Sequence, residues 1–152
     1  MTKKKITIIS NSLIEQFGMK PYKLRVKEKY MSKRQLNHFK KILNSWKEQL
    51  EQEAEKTVNH MQKDSNSLAD PNDRATQESE FGLELRTRDR ERKLIRKIQS
   101  SLIKIDDGTF GYCEETGEEI GLQRLEARPV ASLTLEAQER REITEKQFKD
   151  NR

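Results

Sequence analysis

Leu36, Phe39, Leu43, Trp46 and Leu50 recur at alternating steps of three and four residues. That spacing lines them along one stripe of a helix with a coiled-coil seam. After Leu50 the phase slips: Ala54, Val58 and Met61 continue the stripe only through an inserted four-residue step, a stutter that locally unwinds a supercoil. A second stripe carries Phe81, Leu85, Ile95, Ile98, Leu102 and Ile105. Folding the chain back about Pro71 sets Met61 by Phe81, Leu43 by Ile98, Phe39 by Leu102 and Leu36 by Ile105, so apolar meets apolar at both ends of a helical hairpin. Between them, Arg86 to Lys93 carries no apolar side chain and brings Arg88 and Arg92 near Ala54 and Leu50, where their aliphatic stems can cover the seam.

The ends of the hairpin are marked as well. Ser32-Lys33-Arg34-Gln35 reads as a capping box with Met31 and Leu36 at the staple positions, and Gly108 after Asp106-Asp107 stops the second helix. At ~1.5 Å per residue, arms of this length reach on the order of 50 Å. Before the hairpin, residues 1–31 form a segment that packs on its base, with a short helix over Ser12 to Phe17 interrupted by Gly18 and Pro21. After it, Gly108-Thr109-Phe110-Gly111-Tyr112-Cys113, then Thr116-Gly117 and Ile120, predicts a small β-hairpin. A helix over Leu122 to Ala127 is cut off by Arg128-Pro129, and a last one runs from Ser132 or Thr134 to Phe148. The predicted fold is therefore mainly α: a long antiparallel coiled-coil hairpin over 32–107, with its tip at 69–75, projecting from a small globular head over 108–152 that holds a short β-hairpin and a C-terminal helix.

Composition fits this shape. Of 152 residues, 38% are charged and 32% hydrophobic, too few apolar side chains for one large spherical core and suited to long solvated helices. The net charge of +5 permits nucleic-acid contact, but acids and bases are interspersed along the arms as on any solvated helix. The basic cluster from Arg86 to Lys97 wraps around its helix and has no recognition helix beside it, which argues against sequence-specific DNA binding. One cysteine excludes an internal disulfide and fits a reducing cytoplasm. No segment has the apolar length of a membrane span, and Ile6-Thr7-Ile8-Ile9 is too short for a signal peptide, so a cytoplasmic location is expected.

The apex has its own chemistry. Asp70 precedes Pro71 as an N-cap precedes a proline at the first helical position, and Asp73 lies in the first turn, where the helix dipole favours anions. Capping alone accounts for both carboxylates; an acidic tip that touches a partner is the alternative, with the small Ala75 beside it. Elsewhere the chain offers no nucleophile–base pair, no phosphate-binding glycine loop and no metal cluster, so an enzyme is not expected. A generic coiled-coil adaptor would explain the arms but not the acidic, proline-marked apex.

Over nearly its whole length the chain resembles the DksA/TraR group of bacterial transcription factors. The resemblance is carried by Pro21-Tyr22, the arm start from Met31 to His38, Thr57-Val58-Asn59-His60-Met61-Gln62, Asp70-Pro71-Asn72-Asp73-Arg74-Ala75, Phe81-Gly82-Leu83-Glu84-Leu85-Arg86, Asp89-Arg90-Glu91-Arg92-Lys93-Leu94-Ile95 and Arg124-Leu125-Glu126-Ala127-Arg128-Pro129. It implies a monomer that binds RNA polymerase, inserts its coiled coil into the secondary channel and regulates initiation together with ppGpp. In such a protein Asp70, Asp73 and Ala75 form the working tip, while Arg90, Lys97 and Arg128 match the basic residues that bind ppGpp at the polymerase interface. A lysine that joins that site in other members corresponds to Gln138 here. The runner-up is a Gre-type transcript-cleavage or elongation factor, in which the acidic tip would help polymerase hold a catalytic magnesium ion.

One departure concerns the head. Many members of the group hold zinc with two Cys-x-x-Cys pairs, and here the matching positions are Cys113, Thr116, Thr134 and Ala137. Because a structural zinc site needs four Cys or His donors, the expectation is a degenerate finger of the cysteine-poor, zinc-free type with no metal residues and no covalently bound cofactor. Phe110, Tyr112, Ile120, Leu122, Leu125 and Leu133 would then supply the packing.

Overall fold

The computed structural model describes residues 13–64 and 71–152, so the link at 65–70, including Asp70, lies outside the described residues. The helices are α1 (Leu13–Gln16), α2 (Lys33–Asp64), α3 (Pro71–Asp107), α4 (Leu122–Ala127) and α5 (Leu135–Asp150). Their proportions give a mainly helical protein whose two long helices are consistent with a coiled-coil hairpin. By its contacts the chain divides into two units: the described residues up to Ile42 with Gly111–Arg152, and Leu43–Phe110.

In the second unit the seam follows helical phase more strictly than hydrophobicity. Leu43, Leu50, Ile98 and Ile105 are buried. Along α3 the buried and half-buried positions include Gln77, Phe81, Glu84, Arg88, Glu91, Ile95, Ile98, Leu102 and Ile105, an unbroken alternation of four- and three-residue steps. Leu85, expected on this stripe, is instead 49% exposed, and Glu84 holds the position one residue earlier. From Phe81, a step of three reaches 84 and a further step of four reaches 88, so Leu85 falls off the face whatever its side chain. The middle of the seam is therefore ionisable, and Glu84 Oε2 and Arg88 Nε are buried without a hydrogen-bond partner. The last turn of α3 closes through Gly108 at φ 83°, which lets the Thr109 N–H reach the Lys104 carbonyl at 3.0 Å. That six-to-one bond is the signature of a glycine-terminated helix.

The first unit is knitted by polar contacts over a small apolar core that includes Ile14, Phe39, Ile42, Phe39's neighbour in the next turn, and Leu125 and Leu133 from the C-terminal part. α1 packs on α4. At the start of α2 the Ser32 hydroxyl accepts from the Gln35 N–H at 3.4 Å, as a capping residue should, while the Gln35 amide oxygen reaches past Ser32 to the Met31 N–H at 2.7 Å. The expected β-hairpin takes its tightest form, one antiparallel bridge between Tyr112 and Glu119. Around it, Cys113 N–H donates to the Glu118 carbonyl at 2.8 Å, Gly117 N–H to the Cys113 carbonyl at 2.9 Å, and Ile120 N–H to the Gly111 carbonyl at 2.9 Å. Tyr30 fastens this turn to the segment before α2: its hydroxyl donates to the Gly111 carbonyl at 2.7 Å and accepts from the Gly121 N–H at 2.9 Å. α5 begins at a Thr134 cap that accepts from the Ala137 N–H, and Arg141 ties the helix to Glu115 at 2.7 Å.

Candidate functional site

The residues singled out from the sequence fall into three places. At the N-terminal end of α3, Pro71 is the first helical residue, Asp73 lies in the first turn, and both Asp73 and Ala75 are exposed. Proline removes an N–H that would have no helical partner, and the exposed carboxylate of Asp73 sits where the helix dipole is positive. Asp70 lies outside the described residues.

Arg90 and Lys97 are exposed on α3 and seven residues apart, hence on one face and separated by ~10 Å of helix rise. Arg128 is exposed in the other unit, at the C-cap of α4, where its N–H donates to the Arg124 carbonyl at 2.8 Å. It stands at the rim of an open groove of about 800 Å³, with Tyr30, Gln35, Ile120 and Leu122 among its lining residues. Gln35 there is fully buried, and its Nε2 lacks a hydrogen-bond partner. Gln138, on α5, donates to Glu142 at 2.9 Å.

Cys113 directly follows the bridge residue Tyr112, inside the loop that the bridge closes, and is buried. Burial pushes its thiol pKa up, but hydrogen bonds from the Thr116 hydroxyl and from the backbone at Thr134, Thr116 and Glu115 outweigh that and bring it down to about 6. The Thr134 hydroxyl also approaches the sulfur, at 3.9 Å.

With this geometry in hand, comparison with known proteins is decisive. The chain is 54% identical over 138 residues to the RNA polymerase-binding transcription factor DksA of Haemophilus influenzae, covering 91% of this chain and 95% of that protein. It belongs to the DksA family. The protein of the same name from Escherichia coli K12 is 51% identical over 139 residues, covering 91% of this chain and 92% of that one. The family model for the DnaK suppressor protein DksA, N-terminal domain, matches residues 35–105. Among solved structures, transcription factor DksA2 from Pseudomonas aeruginosa aligns with a TM-score of 0.71 and 37% identity over 77% of this chain and 90% of that chain.

A second family model, the prokaryotic DksA/TraR C4-type zinc finger, matches residues 108–142. This match corrects the expectation of a zinc-free type: the head belongs to a zinc-finger family, and membership points toward zinc rather than away from it. Absent ligand residues alone do not settle the type of the finger, because the match extends over the whole segment and not only its ligand positions. In this chain the two Cys-x-x-Cys positions supply one thiol, at Cys113, two hydroxyls, at Thr116 and Thr134, and the methyl of Ala137. Among the described residues no group of three or more His, Cys, Asp or Glu side chains is placed to hold a metal. Of those four side chains only Cys113 is a donor of the Cys or His type that structural zinc sites use.

Sequence reading placed Arg88 at the seam but missed two features: Glu84 and Glu91, which continue the same face on either side of it while Arg92 is exposed, and a cluster of cations around Tyr22. The first was legible as a heptad phase that continues through polar residues. The second brings a loop against α2, and no periodicity announces it.

Proposed function

We propose that this protein is a transcription factor that binds RNA polymerase directly and modulates initiation without recognising a DNA sequence. The observation that carries the reading is similarity over nine-tenths of the chain to factors named for polymerase binding. In this reading α2 and α3 enter the secondary channel, and the carboxylate of Asp73, with Asp70, acts near the polymerase active centre by shifting the lifetime of promoter complexes. Arg90, Lys97 and Arg128 hold the phosphates of ppGpp against polymerase, with charge-assisted hydrogen bonds as the physical basis. Gln138 supplies no charge to that set, so the ppGpp response is weaker than a fourth cation would give. The factor acts as a monomer in the cytoplasm. Among the described residues no helix is long and apolar enough to cross a membrane. No observation favours the Gre-type alternative.

Purified protein should be captured by core polymerase and should inhibit a promoter with a short-lived open complex, more strongly with ppGpp. Asp73→Asn keeps the shape of a side chain in the first turn and removes only its charge, an exposed helix-dipole contribution of about 0.3–1 kcal/mol, so it should compete for polymerase as wild type does yet lose inhibition. Arg90→Ala and Lys97→Ala should blunt the ppGpp increment more than the basal effect. Full inhibition by Asp73→Asn at wild-type occupancy would refute the acidic-tip mechanism and leave channel occlusion. Failure of polymerase capture would refute the function itself.

A further inference from the structure

We propose that the cleft between the 20–23 segment and the first turns of α2 is a binding site for a polyphosphate group, presented by a nucleotide or as free pyrophosphate. The cleft encloses about 640 Å³ and is lined by Lys20, Lys23, Arg34 and Lys41 around Tyr22 and His38, with no carboxylate in its wall. Arg34 and Lys41 are seven residues apart on α2, with Asn37 and His38 in the intervening turn, so one helix face presents both charges and the polar groups between them. Lys20 and Lys23 flank Tyr22, and that segment is anchored from both sides. The Tyr22 N–H donates to Glu126 at 2.7 Å, and the Tyr22 hydroxyl donates to Glu28.

Four like charges around one concavity repel one another unless carboxylates or a bound anion compensate them. Compensation within the chain is partial. Glu28 lies 3.7 Å from Arg34, while among the described residues no carboxylate forms an ion pair with Lys20, Lys23 or Lys41. Behind the wall, Glu126 stands 3.6 Å from His38 Nε2, too far for a hydrogen bond, and that ring nitrogen is buried without a partner. The cleft thus combines three ammonium groups that lack a carboxylate partner with a guanidinium, a donor set suited to several phosphate oxygens at once.

The aromatic surface argues for phosphate rather than base recognition. The Arg34 guanidinium lies 4.9 Å from the Tyr22 ring centroid and the His38 ring 5.2 Å from it, so the tyrosine is already engaged by its neighbours. Single-strand binders depend on free aromatic faces for successive bases. This site shares no residue with Arg90, Lys97 or Arg128.

Calorimetric titration of the full-length protein at low salt, without polymerase, tests the assignment separately from the polymerase function. ATP and pyrophosphate should both bind, and AMP should bind about tenfold more weakly because it offers fewer charge-assisted contacts. Equal affinity for ATP and pyrophosphate assigns the free polyphosphate group as sufficient; tighter ATP binding assigns a nucleotide. Lys23→Gln and Lys41→Gln, both at exposed positions, should each weaken binding by roughly three- to tenfold, while Lys146→Gln on α5 should not. Thermal melts matching wild type establish that the variants fold. Silence with both ATP and pyrophosphate, or binding unchanged in both cleft variants, would overturn the proposal. So would capture of a short single-stranded RNA through Lys23 and Lys41 with pyrophosphate silent, which would make the cleft a nucleic-acid contact.

Discussion

Gly111 is the residue whose replacement the structure forbids most directly. Its φ of 89° lies in the left-handed region, and a Cβ built there would come within 2.8 Å of both Cγ and Sδ of Met31. Two costs follow for Gly111→Ala. Left-handed backbone costs a residue with a Cβ about 1–2 kcal/mol, and overpacking of a filled site adds about 1–3 kcal/mol. Met31 has little freedom to retreat, since it also has positive φ, at 53°, and its N–H is held by Gln35 at 2.7 Å. A combined loss of about 3 kcal/mol lowers the melting temperature of a chain this size by roughly 6–12 °C. Gly117→Ala is the internal control: its φ of 72° carries the backbone strain, but nothing lies within 4 Å of the added Cβ. Its loss should stay near the backbone term alone, about 1–2 kcal/mol. Adding Met31→Ala to Gly111→Ala removes the overlap, so in a double-mutant cycle followed by thermal circular dichroism the two changes should cost less together than their sum. A Gly111→Ala protein melting with wild type, or strict additivity in the cycle, would refute the packing argument.

Two further predictions concern charge. The Glu28 carboxyl accepts from the Arg25 N–H and the Tyr22 and Ser32 hydroxyls beside Arg34, and these contacts, outweighing burial, lower its pKa to about 2. Since the folded value lies below the unfolded one, this stabilisation is complete above the ordinary carboxylate pKa and is lost as pH falls toward about 2. Acid unfolding curves of Glu28→Gln should be flatter over that window, and an unchanged acid limb would count against the contact set. On the seam, Arg88→Met should raise the melting temperature, because replacing a half-buried guanidinium whose Nε lacks a hydrogen-bond partner with an apolar side chain of similar length stabilises by on the order of 1 kcal/mol; a lower melting temperature would show that Arg88 has a compensating partner in solution.

Local signals were legible wherever one side chain and one backbone group settle the outcome. Ser32 and Gln35 announced the start of α2, Gly108 its sequel's end, and Arg128-Pro129 the end of α4, because caps and breakers act over a few residues. Leu85 shows where that legibility stops. A leucine among arginines is the natural choice for a seam, yet packing two long helices requires a continuous phase, and the phase selects Glu84. Asp73 and Ala75 could be assigned to a helix start from Pro71, whereas whether Arg128 joins Arg90 and Lys97 depends on a partner that the chain does not contain. The basic cleft was hidden for a different reason: Lys20 and Lys23 gain meaning only when Tyr22 anchors their loop to α2. The finger-like character of the head was legible from Cys113, Thr116, Thr134 and Ala137 standing at the two Cys-x-x-Cys positions, whereas the inference from three missing thiols to a zinc-free type is overturned by the match of the whole segment to the C4-type finger family.

The ionisable stretch of α3 bears on how the protein behaves when crowded with copies of itself. Long hairpins open transiently, and an opened arm with an apolar stripe along its full length would be a template for another molecule's arm. Here the exposed middle would offer Glu84, Arg88 and Glu91, which remain hydrated in the open state and must shed that water again in any exchanged pairing. Reclosure within one chain needs no encounter with a second, so it wins the competition at ordinary concentrations. The same side chains that weaken the arm's closed state would therefore make an opened arm a less adhesive template than an unbroken apolar stripe, leaving the intrachain advantage to favour reclosure over domain exchange.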